Sequence, residues 1–154
     1  MKKNHACWLS ALLMLWISLS VFPLIDNLSA AECQLIRIFG EKGAAGNQIQ
    51  IKPVEVTISR DTCVVWINWV QGSNMRIIFR EDAKACRSAT ESSSGFTEKD
   101  SFYTTSFLPR GGTSSLTFVG KGKFRYNIEI PDVSRSSMGL PPGQIVAKGT
   151  LIVE

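Results

Sequence analysis

Between Val54 and Phe79 the chain reads VEVTISRDTCVVWINWVQGSNMRIIF, and this stretch constrains the fold more than any other. Three short apolar runs, VEVTI, CVVWINW and MRIIF, are separated by the turn-like segments SRD and QGSN. Val, Ile, Thr, Phe and Trp suit a pleated, packed surface, whereas Asp, Ser, Asn and Gly interrupt one. Runs of this length without helical period predict consecutive antiparallel strands. In CVVWINW, Val64, Trp66 and Asn68 share one face, and Cys63, Val65, Ile67 and Trp69 the other. Both faces are largely apolar, which predicts a central strand with at least partial cover on each side. Trp66 is expected between two sheets, beside Val64 and Ile77 or Phe79.

The same punctuation continues along the chain. Cys33 to Phe39 (CQLIRIF) reads as a first strand, and GEKGAAGN as a plain Gly-rich connection without the setting of a phosphate-binding loop. Ile49, Ile51 and Val54 lead into the second strand, with Pro53 at a bulge or edge position. Between Arg80 and Lys99, Ser, Thr and charge dominate. Neither period persists there, so a long surface excursion is expected, with a helical turn near Glu81–Cys86. FYTTSFL, SLTFV, KFRYNIEI and QIVAKGTLIV resume strand character, with turns at Pro109–Gly112 and Gly120–Gly122 and a loop over Pro131–Pro142. Seven or eight strands with turns throughout predict an all-β sandwich.

The start of the chain reads differently. Lys2 and Lys3 precede an apolar block from Ala11 to Leu24, followed by the small residues Ser29, Ala30 and Ala31. This is the pattern of a secretory signal peptide, with cleavage expected after Ala31. An uncleaved anchor is the alternative, although the block is short for a span of about 20 residues. A lipid anchor on Cys33 is another, although Glu32 stands where lipoprotein signals carry a small residue. Removing residues 1–31 from the 154 leaves 123, the size of one ordinary domain, with 15 Lys and Arg against 12 Asp and Glu. The basic residues are scattered, with no basic stripe and interleaved aromatics of a nucleic-acid groove. The expected mature chain is periplasmic or secreted and meets a membrane only during export.

Removing the first 31 residues also removes His5, the only histidine, and Cys7. Histidine is the usual general base and the commonest transition-metal ligand. Without it, a Ser–Lys pair is the main way left to activate one of the hydroxyls between Ser88 and Ser94. The spacing of Lys84, Lys99 and Lys121 does not point to one, and no enzyme is expected. Cys33, Cys63 and Cys86 are too far apart for a zinc ribbon. In an exported protein such cysteines serve mainly as disulfides.

Two stretches, about half of the mature chain, resemble the cupredoxin family, the plastocyanin-like blue-copper sandwiches. DTCVVWINW followed by MRIIFRED is similar to a family strand ending in Asn, a loop, and a strand that begins with a histidine copper ligand. GKFRYNIEIP, a loop and AKGTLIVE are similar to the late hairpin in which a Cys-x-x-His stretch and a Met complete the site. The resemblance implies a Greek-key sandwich from residue 32 to residue 154. It also sets Met75 at the first histidine, Ile128 at the cysteine and Pro131 at the second histidine. The late methionine falls on Ala147, or on Met138 if the loop is longer here. A blue-copper centre needs two imidazoles and a thiolate with a weak axial ligand. These positions supply at most the thioethers of Met75 and Met138, which suit Cu(I). No type 1 copper site, and no other cofactor, is therefore expected.

The family topology also implies that the first strand and CVVWINW are parallel neighbours. That brings Cys33 and Cys63 together as a disulfide at the end away from the metal pole, with Cys86 left buried, capped or bridged to another molecule. At the metal pole it gathers Trp69, Met75, Pro131, Met138, Leu140, Pro141 and Pro142. They form either a contact patch retained without the metal or a small core closing over the vacated site. The function expected is a non-catalytic binding or structural module of the cell envelope, acting through its loops on a protein or small ligand. The alternative is a copper-binding electron carrier with unrecognised ligands.

Overall fold

The structure, a computed structural model, describes residues 32–43, 46–99, 101–132 and 143–154. The expected signal peptide, Met138 and Leu140 lie outside the described residues. The described chain runs through β1 (Gln34–Gly43), β2 (Gly46–Lys52), β3 (Glu55–Ile58), β4 (Thr62–Gln71) and β5 (Arg76–Phe79). A short helix, α1 (Ala83–Ser88), follows, then β6 (Thr90–Ser94), β7 (Phe96–Lys99) and β8 (Phe102–Thr105). The last elements are β9 (Thr113–Phe118), β10 (Gly122–Pro131) and β11 (Gly143–Val153). Five strands form one sheet in the order β2-β1-β4-β9-β6, and six form the other in the order β3-β11-β10-β5-β8-β7. The result is the expected all-β Greek-key sandwich. Among the described residues no helix is long and apolar enough to cross a membrane.

β4 is the middle strand of the five-stranded sheet, between a parallel β1 and an antiparallel β9. Its inward residues Val64, Trp66, Asn68 and Val70 are fully buried. Trp66 is the centre of an aromatic cluster that joins the two layers. Its ring stands edge-on to Phe79 at 6.3 Å, Tyr126 at 5.7 Å and Phe96 at 5.6 Å. Each such ring contributes a few kcal/mol by burial alone, and the tilted geometry adds to it. Phe124, Tyr126 and Ile128 alternate into this core from β10.

Four features differ from the sequence expectation. The runs VEVTI, CVVWINW and MRIIF are strands, but not consecutive partners: β3 and β5 belong to the six-stranded sheet and β4 to the other. A turn residue specifies a reversal, not whether the chain returns to its own sheet or crosses to the facing one. Burial decides, because all three strands have an apolar face that the gap between sheets can take. The Gly-rich segment is no plain connection either. β1 and β2 form a ladder through it as far as Gly43↔Gly46. The polar stretch after Arg80 holds the expected helical turn, as α1, but also two edge strands, β6 on β9 and β7 on β8. An edge strand pairs on one side only and needs no apolar alternation, and its polar outer side discourages further pairing. Gly95 carries the chain from one sheet to the other with φ +80°, and a Cβ there would lie 2.7 Å from Ser114 Oγ. The strands therefore number eleven among the described residues, against the seven or eight expected.

Candidate functional site

At the end of β4 the buried side chain of Asn68 holds two loops. Its Nδ2 donates to the Leu108 carbonyl at 2.9 Å, and its Oδ1 accepts from the Val70 N–H at 2.8 Å. Its backbone N–H donates to the Gly112 carbonyl at 3.0 Å, and its carbonyl accepts from Gly111 at 2.7 Å. Leu108 in turn exchanges both backbone hydrogen bonds with Met75, at 3.0 and 2.6 Å. Met75, at the first position the resemblance assigns to a copper ligand, is thus tied down by its backbone. Its side chain is fully buried in the core.

The other three positions lie in the β10–β11 hairpin. Ile128 stands opposite Ala147 on β11 and Ile77 on β5, and it too is fully buried. Directly opposed residues share a sheet face, so Ile128 and Ala147 both point to the interior. Pro131, paired with Gly143, falls by alternation on the opposite face, with Glu129. The structure brings Met75, Ile128 and Ala147 to one side of the sheet and separates Pro131 from them. Copper does not fit this donor set. It consists of one thioether, an aliphatic chain and a methyl group, and Glu129, next to Ile128 in the chain, falls by alternation on the other face. Among the described residues no three His, Cys, Asp or Glu side chains gather where a metal could be held.

Trp69 is also separated from Met75. It lies on the outer face of the five-stranded sheet, opposite Phe39, and is 44% exposed. With Leu35, Phe39 and Ile67 it lines an open apolar groove of about 580 Å³, flanked by Arg37 and Lys52. The expected contact patch of Trp69, Met75, Met138 and Leu140 is thus divided between surface and core, with its last two members outside the described residues.

The most developed electrostatic feature was not legible as a site in the sequence. Glu129, on the outer face of β10, has a fully buried side chain. Its Oε2 accepts from Arg76 Nε at 2.8 Å and Nη2 at 2.6 Å, and its Oε1 accepts from Arg80 Nη2. The guanidinium of Arg76 lies 4.9 Å from the Phe107 ring centre, and that of Arg80 lies 4.6 Å from the Phe102 ring centre. Burial by itself raises the Glu129 carboxyl, but the hydrogen bonds and charges of Arg80 and Arg76 outweigh it and hold its pKa below the ordinary value. A charge between Ile128 and Ile130, and arginines at the second and sixth positions of MRIIFRED, are the signals that mark this cluster in the sequence.

Cys33 and Cys63 form the disulfide implied by the resemblance, with Cα atoms 4.5 Å apart beside the parallel β1–β4 pair. Cys86 is free and buried on α1, and burial, with the charge of Asp82, pushes its thiol pKa up. A buried thiol of raised pKa is unreactive.

No protein-family model matches the chain, and no curated protein matches it. Solved structures of amicyanin are similar in chain path. Amicyanin from Paracoccus versutus has a TM-score of 0.45 at 14% identity, over 80% of this chain and 83% of that one. A copper(I) form of an amicyanin methionine variant has a TM-score of 0.44 at 15% identity, over 82% and 87%. An oxidised amicyanin variant has a TM-score of 0.41 at 15% identity, over 76% and 81%.

Proposed function

We propose that this protein is a non-catalytic binding or structural module of the cell envelope, built on a cupredoxin-like sandwich that works without a type 1 copper site. The observation that carries the reading is the Ile128–Ala147 pair. Where the resemblance implies a thiolate and its axial partner, two apolar side chains face each other in a closed ladder and pack into the core. Met75 packs into the same core. Export to an oxidising compartment is supported by the Cys33–Cys63 disulfide together with the basic, apolar and small-residue order of residues 1–31.

The test uses residues 32–154, purified and incubated with Cu(II). The expected result is a colourless protein with no copper after dialysis and an unchanged unfolding temperature, since a ligand stabilises only by binding the native state. An intense blue colour, or one copper per chain surviving dialysis, overturns the reading in favour of an electron carrier.

A further inference from the structure

On the outer face of the six-stranded sheet, β10 and β11 place Arg125 opposite Thr150 and Asn127 opposite Lys148. Arg80, just beyond β5, closes one side. Together they line a cavity of about 250 Å³. Most of its charge is already paired. Arg125 Nη2 lies 3.0 Å from Glu81 Oε2, and its Nε lies 3.3 Å from Asp82 Oδ2. Arg76 and Arg80 share Glu129. The four cations Arg76, Arg80, Arg125 and Lys148 thus face the three carboxylates Glu81, Asp82 and Glu129, which leaves one positive charge over. That charge is Lys148, which is exposed and has no ion-pair partner among the described residues.

Uncommitted hydrogen-bonding groups surround it. The Asn127 amide and the Thr150 hydroxyl have no side-chain partner among the described residues. The Arg80 side chain, 30% exposed, lines the same cavity. One surplus cation, the partly exposed Arg80 side chain, an amide and a hydroxyl, all lining one cavity, match a ligand with one carboxylate and several hydroxyls.

The geometry points to a binding site for a small hydroxylated carboxylate, of the chemical class of a sugar acid. The carboxylate lies between Lys148 and Arg80, and hydroxyls meet Asn127 and Thr150. The site deepens the binding-module reading and rests on it.

The test titrates residues 32–154 with D-glucuronate and, in parallel, with D-glucose, following the amide resonances of β10 and β11. Saturable shifts at Asn127, Lys148 and Thr150 are expected with glucuronate, and none with glucose at the same concentration. Loss of one charge-assisted hydrogen bond in Lys148→Gln weakens binding by about tenfold or more. Thr150→Val leaves the charge in place and weakens binding less. Glucuronate failing to shift these residues, glucose shifting them equally, or Lys148→Gln binding as tightly as the parent protein each overturns the site. Each of these results leaves the copper test standing, so failure of the site and failure of the module reading remain distinguishable.

Discussion

Glu129 and Arg76 meet through a single carboxylate oxygen: Oε2 takes hydrogen bonds from both Nε and Nη2 of the arginine, at 2.8 and 2.6 Å. The other oxygen is left for Arg80, so one buried carboxylate holds two cations on the outer face of the sheet. Because the carboxylate is closed off from water and the arginines are only partly exposed, losing it leaves two guanidinium groups beside each other without a counter-charge. Glu129→Ala is therefore expected to destabilise the fold by about 3 kcal/mol or more. Glu129→Gln, which still accepts a hydrogen bond, is expected to cost less. Urea unfolding of both variants checks this, and an alanine variant within about 0.5 kcal/mol of the parent contradicts it.

The same pair sets an acid dependence. The Glu129 pKa is lower in the folded chain than in the unfolded one, so the unfolded state takes up the proton first. Its contribution is fully present above the ordinary glutamate value of about 4.3 and declines as pH falls below that toward the depressed folded value. The stability difference between the parent and Glu129→Gln should narrow over this range. A difference that is flat with pH excludes the linkage.

Tyr126 adds an alkaline dependence. Its hydroxyl is buried next to the Trp66 indole N–H, yet neither atom completes a hydrogen bond. Burial pushes the phenol up to about 12, against a smaller opposing effect from Trp66. The neutral form is favoured on folding. Its contribution is complete below the unfolded value of about 10 and is lost as pH rises from there toward about 12. Tyr126→Phe should abolish this component. At neutral pH it should be neutral, or stabilising by up to about 1 kcal/mol, because it removes an unsatisfied hydroxyl. A loss above about 1 kcal/mol at neutral pH would mean the hydroxyl is bonded after all.

Gly149 faces the same ring. A Cβ at this position would overlap Tyr126 Cζ and its hydroxyl, with Cε1 at 2.8 Å. Gly149→Ala is expected to destabilise by about 1–3 kcal/mol through overpacking. Calorimetry of this variant should show a lowered melting temperature, and an unchanged one would mean the ring can move aside.

The disulfide gives a counting experiment. In residues 32–154, unreduced and denatured, one thiol should titrate, that of Cys86, and in the native state it should react slowly. Cys33→Ser with Cys63→Ser opens a loop of sequence separation 30 and should cost about 3 kcal/mol. A denatured count of three thiols rules the bridge out.

Much of the sandwich is legible in the sequence because burial leaves a period. Trp66 sits where its alternation with Val64 and Asn68 puts it, and the parallel β1–β4 pair brings Cys33 to Cys63. The partition of strands between sheets is not legible, since Ser59–Asp61 and Gln71–Asn74 permit either a hairpin or a crossing. β6, with the sequence TESSS, carries no apolar signal, because its stability comes from the backbone hydrogen bonds that β9 offers. Of the candidate site, the apolar nature of positions 75 and 128 is plain from the residues themselves. The placement of Pro131 on the other face is not, because it depends on β10 staying regular through Ile130 and leaving its bulge opposite Ile128 and Glu129.

β11 lies between β3 and β10, so an early strand is joined to the six-stranded sheet only through a late one. A ribosome delivers the chain in the opposite order of need: β3 emerges almost a hundred residues before the strand that receives it. Until β11 arrives, β10 also lacks its longest partner, and the aromatic cluster around Trp66 has an incomplete wall. The architecture therefore delays its own closure until nearly all of the chain has been made.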